Sequence, residues 1–444
     1  MLRQQGPGPA LGDLRDSTIV AHPNARRAFP PTNVPWLDTW LGTTTDLARA
    51  NASHPLVDAV IDEIDGRLIR IGSHWLIDFT SSNYLGFDVD PEIIDAVPAY
   101  LARWGTQPGW SRLRGSPALY EEIESTLAGL LGVEDALVLP TVTHIHTSVV
   151  PALAGRGTIF VDGGTRRTLR DACTIAAVNG ATLRGFPHGD PGGLEALLRS
   201  PHAAPRVICV DGVNHLSGNA PDLPAYARLA REHGALLYVD DSHGFGVVGE
   251  RSPDELCEYG LHGNGVVRHF GESYDNVVVV GGFSKAYSST LAYIACPTAL
   301  KQVLKTAAQP YLSSGQSPIA ALATVIEGLR LNEERGDQLR LAVHRMTKRV
   351  LTSLRELGIA TPNVSGYPII EIPLANPEEV EAVGAYLFHH GIYVTMAVPP
   401  LVPEGRASFL LEISAVNTWE QIEQLVSTLG ELSDRFRLQS AVAA

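Results

Sequence analysis

Two predicted strands end in residues that could do covalent chemistry together. The apolar run 235–239 is followed by Asp240 and, three residues later, by His243, while the Val-rich run 276–280 leads through a Gly-Gly-Phe-Ser loop to Lys285. Because the carboxyl ends of parallel strands meet at one edge of a sheet, we expect these side chains to converge. A Schiff-base lysine, an acid that keeps a pyridine nitrogen protonated and an imidazole that bonds the acid or a phenolic oxygen suit pyridoxal 5'-phosphate (PLP).

Each of these signals has a plainer interpretation when it is taken alone. An Asp-Asp-x-His segment after a strand also fits a helix cap or a fragment of a metal site. The lysine is more specific because the chain has only four. Lys301 and Lys305 are spaced as one solvated helix face and Lys348 lies in another predicted helix, so Lys285, with Ser284 before it, is the candidate.

A phosphate group needs a cradle, and a helix N-terminus usually supplies it. The run LVLP leads into Thr141, Val142 and Thr143 at the predicted start of a helix, which makes this turn the best candidate for the phosphate of the cofactor. A plain threonine N-cap explains the same residues. Ser314, in the segment PYLSSGQSP, is a second possible donor or simply part of a loop.

Alternating elements must position these residues. From about 117 to 315, short Val-rich runs alternate with helical patterns, which predicts an α/β fold with a doubly wound, mostly parallel sheet. We expect a loosely ordered arm over 1–50, an N-terminal segment of the small lobe over 51–95 and a large PLP-binding domain over 96–317. Long helices and a few strands predict a smaller C-terminal α/β lobe over 318–444.

Composition excludes several function classes. The chain has 444 residues and a formal net charge of −14, which disfavours a general nucleic-acid or anionic-membrane surface. It contains no apolar stretch long enough to span a bilayer and no apolar h-region at its N-terminus. Its four scattered cysteines indicate reduced thiols of a cytoplasmic protein, and we expect no metal site.

Several motifs, in order and spacing, resemble one known family. From about 65 to 435 the chain is similar to the α-oxoamine synthases, which are fold-type I PLP enzymes. The motifs that carry the resemblance are Asn83-Tyr84-Leu85-Gly86, Ser111-Arg112 with Gly115 and Glu124, Phe186-Pro187-His188-Gly189-Asp190, Asp240-Asp241-Ser242-His243-Gly244, Ser284-Lys285-Ala286 and Pro400-Leu401-Val402-Pro403-Glu404-Gly405.

The resemblance implies roles for individual residues. Lys285 would bear the cofactor, Asp240 would face its pyridinium nitrogen and His243 its phenolic oxygen. Ser314 would reach the phosphate of the other subunit, because the active site of the family lies at a homodimer interface. The implied reaction is the decarboxylative or deacylating condensation of an amino acid with an acyl thioester of CoA or a carrier protein. Within the matching motifs, Asn83 and Arg112 are candidate substrate-binding residues.

The sequence departs from the family at cofactor-facing positions. Arg166 stands where a histidine usually stacks on the cofactor ring, and an arginine can stack there too. His215 replaces a serine that faces the cofactor, so it is a candidate catalytic imidazole. Further replacements are Val142-Thr143 in the phosphate turn, His146 for an asparagine and Gly282 for a threonine.

The most serious departure concerns the substrate carboxylate. The family's R-x-R motif, whose arginine holds that carboxylate, reads Ser408-Phe409-Leu410. Arg406 lies two residues upstream, and in a strand it would share the face of Ser408, which makes it a candidate substitute.

Three hypotheses follow. The first is an acyltransferase of the family type. The second is another PLP reaction, such as transamination, C–C cleavage or β-substitution, on a substrate without the usual carboxylate clamp. The third is a non-catalytic relative that acts as a subunit, which the retention of Lys285, Asp240 and His243 disfavours.

Overall fold

The computed structural model describes residues 54–252 and 257–440, so the predicted arm over 1–50 lies outside the described residues. We number the helices α1 to α12 in chain order: Pro91–Trp104, Ala118–Leu131, Val142–Ala154, Arg167–Val178, Pro191–Leu198, Leu223–Glu232, Val266–His269, Thr298–Ala307, Gln309–Leu312, Ile319–Glu356, Val380–His389 and Trp419–Arg435. The strands, β1 to β14, are Glu63–Asp65, Leu68–Ile71, His74–Asp78, Asp135–Leu139, Thr158–Asp162, Thr182–Phe186, Arg206–Asp211, Leu236–Asp240, Val277–Gly282, Ala292–Cys296, Ile369–Pro373, Ile392–Tyr393, Thr395–Ala397 and Ser408–Glu412.

A seven-stranded sheet forms the centre of the larger part of the molecule. Its strand order is β4-β10-β9-β8-β7-β5-β6, and β10 runs antiparallel to both of its neighbours while the other pairings are parallel. The inner strands are rich in valine and isoleucine because helices cover both faces of the sheet.

Alternate residues of these strands enter two separate cores. Ile208 and Val210 of β7 pack on one side of the sheet, with α2 and α6. Val207 and Cys209 pack on the other side, with α3 and α4. This arrangement confirms the predicted α/β, doubly wound, mostly parallel fold.

The smaller lobe has a core of its own, built from both ends of the described chain. The predicted hairpin around Gly72 is present as β2 and β3, and β3 continues the sheet by pairing in parallel with β12. A second sheet has the order β11-β14-β13, and α11 and α12 pack over these strands. Residues near 70 therefore belong structurally with residues near 390.

Helix α10 connects the two parts over 38 residues. Leu322 and Val325, near its start, lie in the large-domain core, whereas Val350 and Leu354, near its end, lie in the small-lobe core. The predicted boundary at 317/318 falls at the beginning of this shared helix. Within the described ranges, no helix is both long enough and apolar enough to cross a membrane.

Candidate active site

Lys285 and Asp240 follow neighbouring strands, as predicted. Asp240 is the last residue of β8 and pairs with Val280 of β9, and Lys285 lies three residues beyond the end of β9. Burial, reinforced by the charge of Arg166, lowers the pKa of Lys285 to about 8, although Glu412 and Asp240 oppose that shift. A much larger fraction of this amine is therefore neutral near pH 7 than for an exposed lysine.

Asp240 is held by donors from two elements. The backbone N–H of Ser242 lies 3.0 Å from Oδ1, and the Ser242 hydroxyl also donates to this oxygen. His146, fully buried on α3, places Nε2 2.9 Å from Oδ2, and its Nδ1 lies 2.9 Å from the Tyr238 hydroxyl. Burial alone would raise the pKa of Asp240, but His146 and Arg166 hold it below its ordinary value, so the carboxylate stays ionised.

His243 presents one ring nitrogen to the site. Its Nδ1 lies 2.8 Å from the Tyr84 hydroxyl, whereas its buried Nε2 has no hydrogen-bond partner within the described chain. Burial lowers the pKa of His243, and the charges of Lys285 and Arg166 lower it further, so the imidazole is neutral. A buried polar atom without a partner is unusual and indicates a position where a ligand atom belongs.

Arg166 and His215 lie beside two carboxylates, those of Asp211 at the end of β7 and Asp240 at the end of β8. The Arg166 backbone N–H donates to both oxygens of Asp211 at 3.1 and 3.3 Å, and one guanidinium nitrogen is 3.8 Å from the Asp240 carboxylate. His215 Nδ1 lies 3.6 Å from Asp211. Burial raises the pKa of Asp211, and His215 opposes that shift. Arg166 and His215, which replace a histidine and a serine of the family, thus lie in one cluster with Asp211 and Asp240.

The start of α3, the predicted phosphate cradle, lies close to the end of β9. Thr141 caps the helix by accepting the His144 N–H at 3.2 Å, which leaves the first amides of the helix, at Val142 and Thr143, without helical partners. A Cβ added to Gly282 would lie 3.0 Å from a Val142 methyl carbon, so the two elements pack closely. The Ser284 side chain is exposed at the same edge.

These features fit PLP. The amine of Lys285 with its lowered pKa, the ionised Asp240, the unpartnered Nε2 of His243 and the open amides of α3 suit four groups of PLP. These groups are, in the same order, an aldehyde, a pyridinium nitrogen, a phenolic oxygen and a phosphate. Ser314 lies in the loop between α9 and α10 and makes no hydrogen bond to these groups within the described residues. Its assigned role requires a second subunit and stays a prediction.

The structure places Arg112 in a buried hydrogen-bond network, and its contact with substrate stays a prediction. Its guanidinium, 8% exposed, donates to Glu124 at 2.6 Å, to the Val138 carbonyl at 2.7 Å and to the Ser116 hydroxyl at 2.9 Å. It also lies over the Tyr120 ring at 4.0 Å. These bonds use Nε and Nη1 and join the segment before α2 to α2 and to β4.

The prediction that Arg406 lies in a strand and shares the face of Ser408 is wrong. Strand β14 begins only at Ser408, and Arg406 is exposed in the turn that its backbone closes with Pro403. Asn83 is closer to the site because it precedes Tyr84. Its carbonyl accepts the Ser414 hydroxyl at 2.9 Å, and its side chain, which is half-buried, stays a candidate for substrate contact.

Sequence reasoning missed Glu412. This residue ends β14, accepts the Ser82 hydroxyl at 2.6 Å on Oε2, and lies 3.5 Å from the Tyr84 hydroxyl through Oε1. Burial raises its pKa, and the charge of Lys285 opposes that shift. The signal was present in the alternation Ser-Phe-Leu-Leu-Glu-Ile-Ser, whose apolar partners Phe409, Leu411 and Ile413 enter the small-lobe core.

Comparisons with known proteins agree with this geometry. The sequence profile of the family "Aminotransferase class I and II" matches residues 76–429. 8-Amino-7-oxononanoate synthase from Maricaulis maris is 32% identical over 403 residues, covering 89% of this chain and 93% of the relative. The protein of the same name from Methylobacillus flagellatus is 29% identical, covering 90% and 97%.

Solved structures give the same result for the fold. Serine palmitoyltransferase from Sphingomonas wittichii has a TM-score of 0.81 and 25% identity, covering 91% of this chain and 98% of that one. 8-Amino-7-oxononanoate synthase from Francisella tularensis has a TM-score of 0.68 at 20% identity, covering 81% and 98%. Family profile, relatives and fold thus agree with the motifs at the strand ends: the chain belongs to the aminotransferase class I and II family and, within it, to the α-oxoamine synthases.

Proposed function

We propose that this chain is a PLP-dependent acyltransferase that condenses an amino acid with an acyl thioester of CoA or a carrier protein. The observation that carries the proposal is the convergence of Lys285, Asp240 and His243 at one sheet edge beside an open helix N-terminus. PLP, when bound, supplies an electron sink that stabilises negative charge on the α carbon of the substrate. Relatives named 8-amino-7-oxononanoate synthase support acyl transfer as the reaction class.

Each residue has a definite task. Asp240 would face the pyridine nitrogen, and His146 with Tyr238 fixes the orientation of its carboxylate. His243 would present Nε2 to the phenolic oxygen, while Tyr84 holds the other ring nitrogen. The start of α3, with Thr143 and Ser284, would hold the phosphate, and Arg166 and His215 would line the cofactor beside Asp211.

Lys285 would both accept and donate the proton of the reaction, and its ammonium form can supply the proton that the departing sulfur takes up. With a pKa of about 8, its amine is available as a nucleophile and as a base at neutral pH. In the decarboxylative reaction the carboxylate leaves as CO2 and its electron pair stays on the α carbon. That carbon forms a bond to the thioester carbonyl carbon, the C–S bond breaks, and the departing sulfur takes up one proton to leave as a thiol.

We also propose a cytoplasmic homodimer with a shared active site. Trp110 and Leu113 are 49% and 59% exposed, and exposed apolar side chains of this size mark interaction surfaces. Their loop is hydrogen-bonded to α9, the helix that directly precedes the loop of Ser314, since the Leu113 N–H donates to the Tyr311 carbonyl at 3.2 Å. Cys173, Cys209 and Cys296 are free and buried, which supports a reducing compartment.

A complementation assay tests the shared site. A mixture of the Lys285→Ala and Ser314→Ala proteins should regain part of the activity that each lacks, because one of the two sites in a mixed dimer is intact. A mixture that stays inactive while sedimentation shows mixed dimers would contradict the shared site.

The acyl transfer is tested by thiol release. A thiol reagent should detect release from an acyl thioester only when an amino acid is also present, and Lys285→Ala should abolish it. The non-catalytic alternative predicts no turnover from the chain alone and a stable complex with an active homologue.

A second candidate is a different PLP reaction, such as transamination, C–C cleavage or β-substitution, on a substrate without the carboxylate clamp. The observation that favours it is that β14 places Leu410 and Glu412, and no arginine, on the side that reaches Lys285. It predicts that a keto acid is converted to an amino acid at the expense of the amino substrate, or that the substrate is cleaved, without any thioester.

A further inference from the structure

The small lobe presents a distinctive surface to Lys285. Phe409 and Leu411 of β14 enter the small-lobe core, so Leu410 and Glu412 lie on the opposite face of the strand. Glu371 of β11 is paired directly with Leu410, and directly opposed residues in an antiparallel pair share a face. We call Glu371, Leu410 and Glu412 the acidic wall.

Glu371 has no partner for its carboxylate within residues 54–252 and 257–440. It is only 8% exposed, and neither a hydrogen bond nor an ion pair to its side chain is present there. Leu410, beside it, offers no donor. Its carboxylate oxygens keep some accessible surface, so a donor of a bound ligand can reach a carboxylate that has no donor from the described residues.

Glu412 is only partly satisfied. Ser82 donates to Oε2 at 2.6 Å, whereas Oε1 has only the distant Tyr84 hydroxyl, which carries a single proton. If His243 donates from Nε2 to the cofactor, its Nδ1 must accept that proton, because the Tyr84 hydroxyl is 2.8 Å away. Oε1 of Glu412 is then open toward the site.

Glu412 lies near Lys285, where the amino group of the substrate must bind. Glu412 and Lys285 are close enough that each shifts the pKa of the other, and Asp78 adds a further negative charge on the Glu412 side. The amino group of a substrate must come to Lys285. Side-chain atoms a few bonds from that amino group therefore lie within reach of the wall.

We propose that the acidic wall selects an amino substrate that carries a second cationic group, an ammonium or guanidinium, and rejects one that carries a second carboxylate. The proposal rests on the proposed function only in bringing the substrate amino group to Lys285. It does not depend on the acyl-transfer step.

Binding to the PLP-loaded protein, measured by calorimetry without thioester, tests this specificity. The probes are 2,3-diaminopropionate, 2,4-diaminobutyrate and ornithine, each against its uncharged isostere: 2-aminobutyrate, norvaline and norleucine. At least one diamino acid should bind about tenfold or more tightly than its isostere, since a buried charged hydrogen bond is worth that much. Glutamate should bind more weakly than norvaline.

Two variants of the wall locate the effect. Glu412→Gln keeps the shape and the Ser82 contact but removes the charge, and should reduce the diamino preference about tenfold; Glu371→Gln should do the same for the longer probes. Glu420→Gln, an exposed glutamate at the start of α12, removes the same charge from the same lobe and should leave the preference unchanged.

The proposal is overturned if no diamino acid is preferred, if serine and homoserine bind as tightly as the diamino acids, or if the preference survives in the Glu371→Gln/Glu412→Gln double variant. The cofactor absorbance of each variant shows that its site is loaded. Failure of the proposed function is distinguishable, because the diamino preference would then persist while added thioester releases no thiol.

Discussion

The two sides of the site are built differently. On the large-domain side, ionisable groups are paired across elements: Asp240 with His146, and His243 with Tyr84. On the small-lobe side, Leu410 belongs to the segment that replaces the R-x-R motif of the family, and Glu371 has no partner within the described ranges. The contrast teaches that the groups for cofactor chemistry are fixed by the fold, whereas the substrate side is free to change its charge.

The largest effect should come from the cofactor side. Lys285→Ala removes the only lysine at this strand edge within the described residues, so activity should fall by at least about a hundredfold. The absorbance change on adding PLP should also be lost. If the variant kept that absorbance change, the cofactor would be attached to another residue, and the assignment of Lys285 to the cofactor side would be wrong.

A large effect on stability, without an effect on specificity, is expected at Arg112. Arg112→Leu removes one of the two cationic partners of the buried Glu124, which keeps Lys301 at 3.0 Å, and also the donor to the Val138 carbonyl. The free energy of unfolding should fall by about 2–4 kcal/mol. Denaturant unfolding measures this loss. At a temperature where the variant is folded, KM for the amino substrate should be unchanged; a raised KM with normal stability would move Arg112 to the substrate side.

A smaller effect should follow at His146. His146→Leu removes the donor to an ionised, buried carboxylate, so the protein should lose about 1–3 kcal/mol of stability and bind PLP about tenfold more weakly. Tyr238→Phe is the matched control. It removes only the hydroxyl that bonds Nδ1 of His146, on the side of the ring away from Asp240, and should have a weaker effect on PLP affinity. Equal losses of PLP affinity in both variants would mean that Tyr238 and His146 hold the Asp240 carboxylate as one hydrogen-bonded unit.

The pH dependence connects the two sides. The rate at which PLP attaches to the cofactor-free protein requires a neutral Lys285, so it should rise with pH around a midpoint near 8 instead of 10.5. Arg166→Leu removes a positive charge and should raise that midpoint, while Glu412→Gln removes a negative charge and should lower it, each by about one unit. Shifts in the same direction for both variants would contradict the assigned electrostatics.

No effect is expected at Arg406. Arg406→Ala changes an exposed turn residue, so stability should stay within about 0.5 kcal/mol and KM should be unchanged. A large increase in KM would show that the turn before β14 closes over the substrate and that the small-lobe side carries a clamp after all.

The sequence was sufficient for the cofactor side and insufficient for the substrate side. Asp240 and Lys285 could be predicted because each follows a Val-rich strand directly, so local pattern and position in the sheet coincide. Glu412 depends on Ser82, 330 residues away, which becomes its neighbour only when the small lobe assembles from both ends of the chain. The structural role of Arg112 is not visible in its motif, because Glu124 and a strand carbonyl become acceptors of its Nη1 only in the fold.

Helix α10 makes the site mechanically sensitive to distant changes. Its 38 residues extend about 57 Å, and its two ends are anchored in different cores. A tilt of about one degree at one end of such a rod moves the other end by about 1 Å, and a misplacement of that size can reduce a reaction rate about a hundredfold. The orientation of the helix therefore affects the distance between the cofactor groups and the acidic wall.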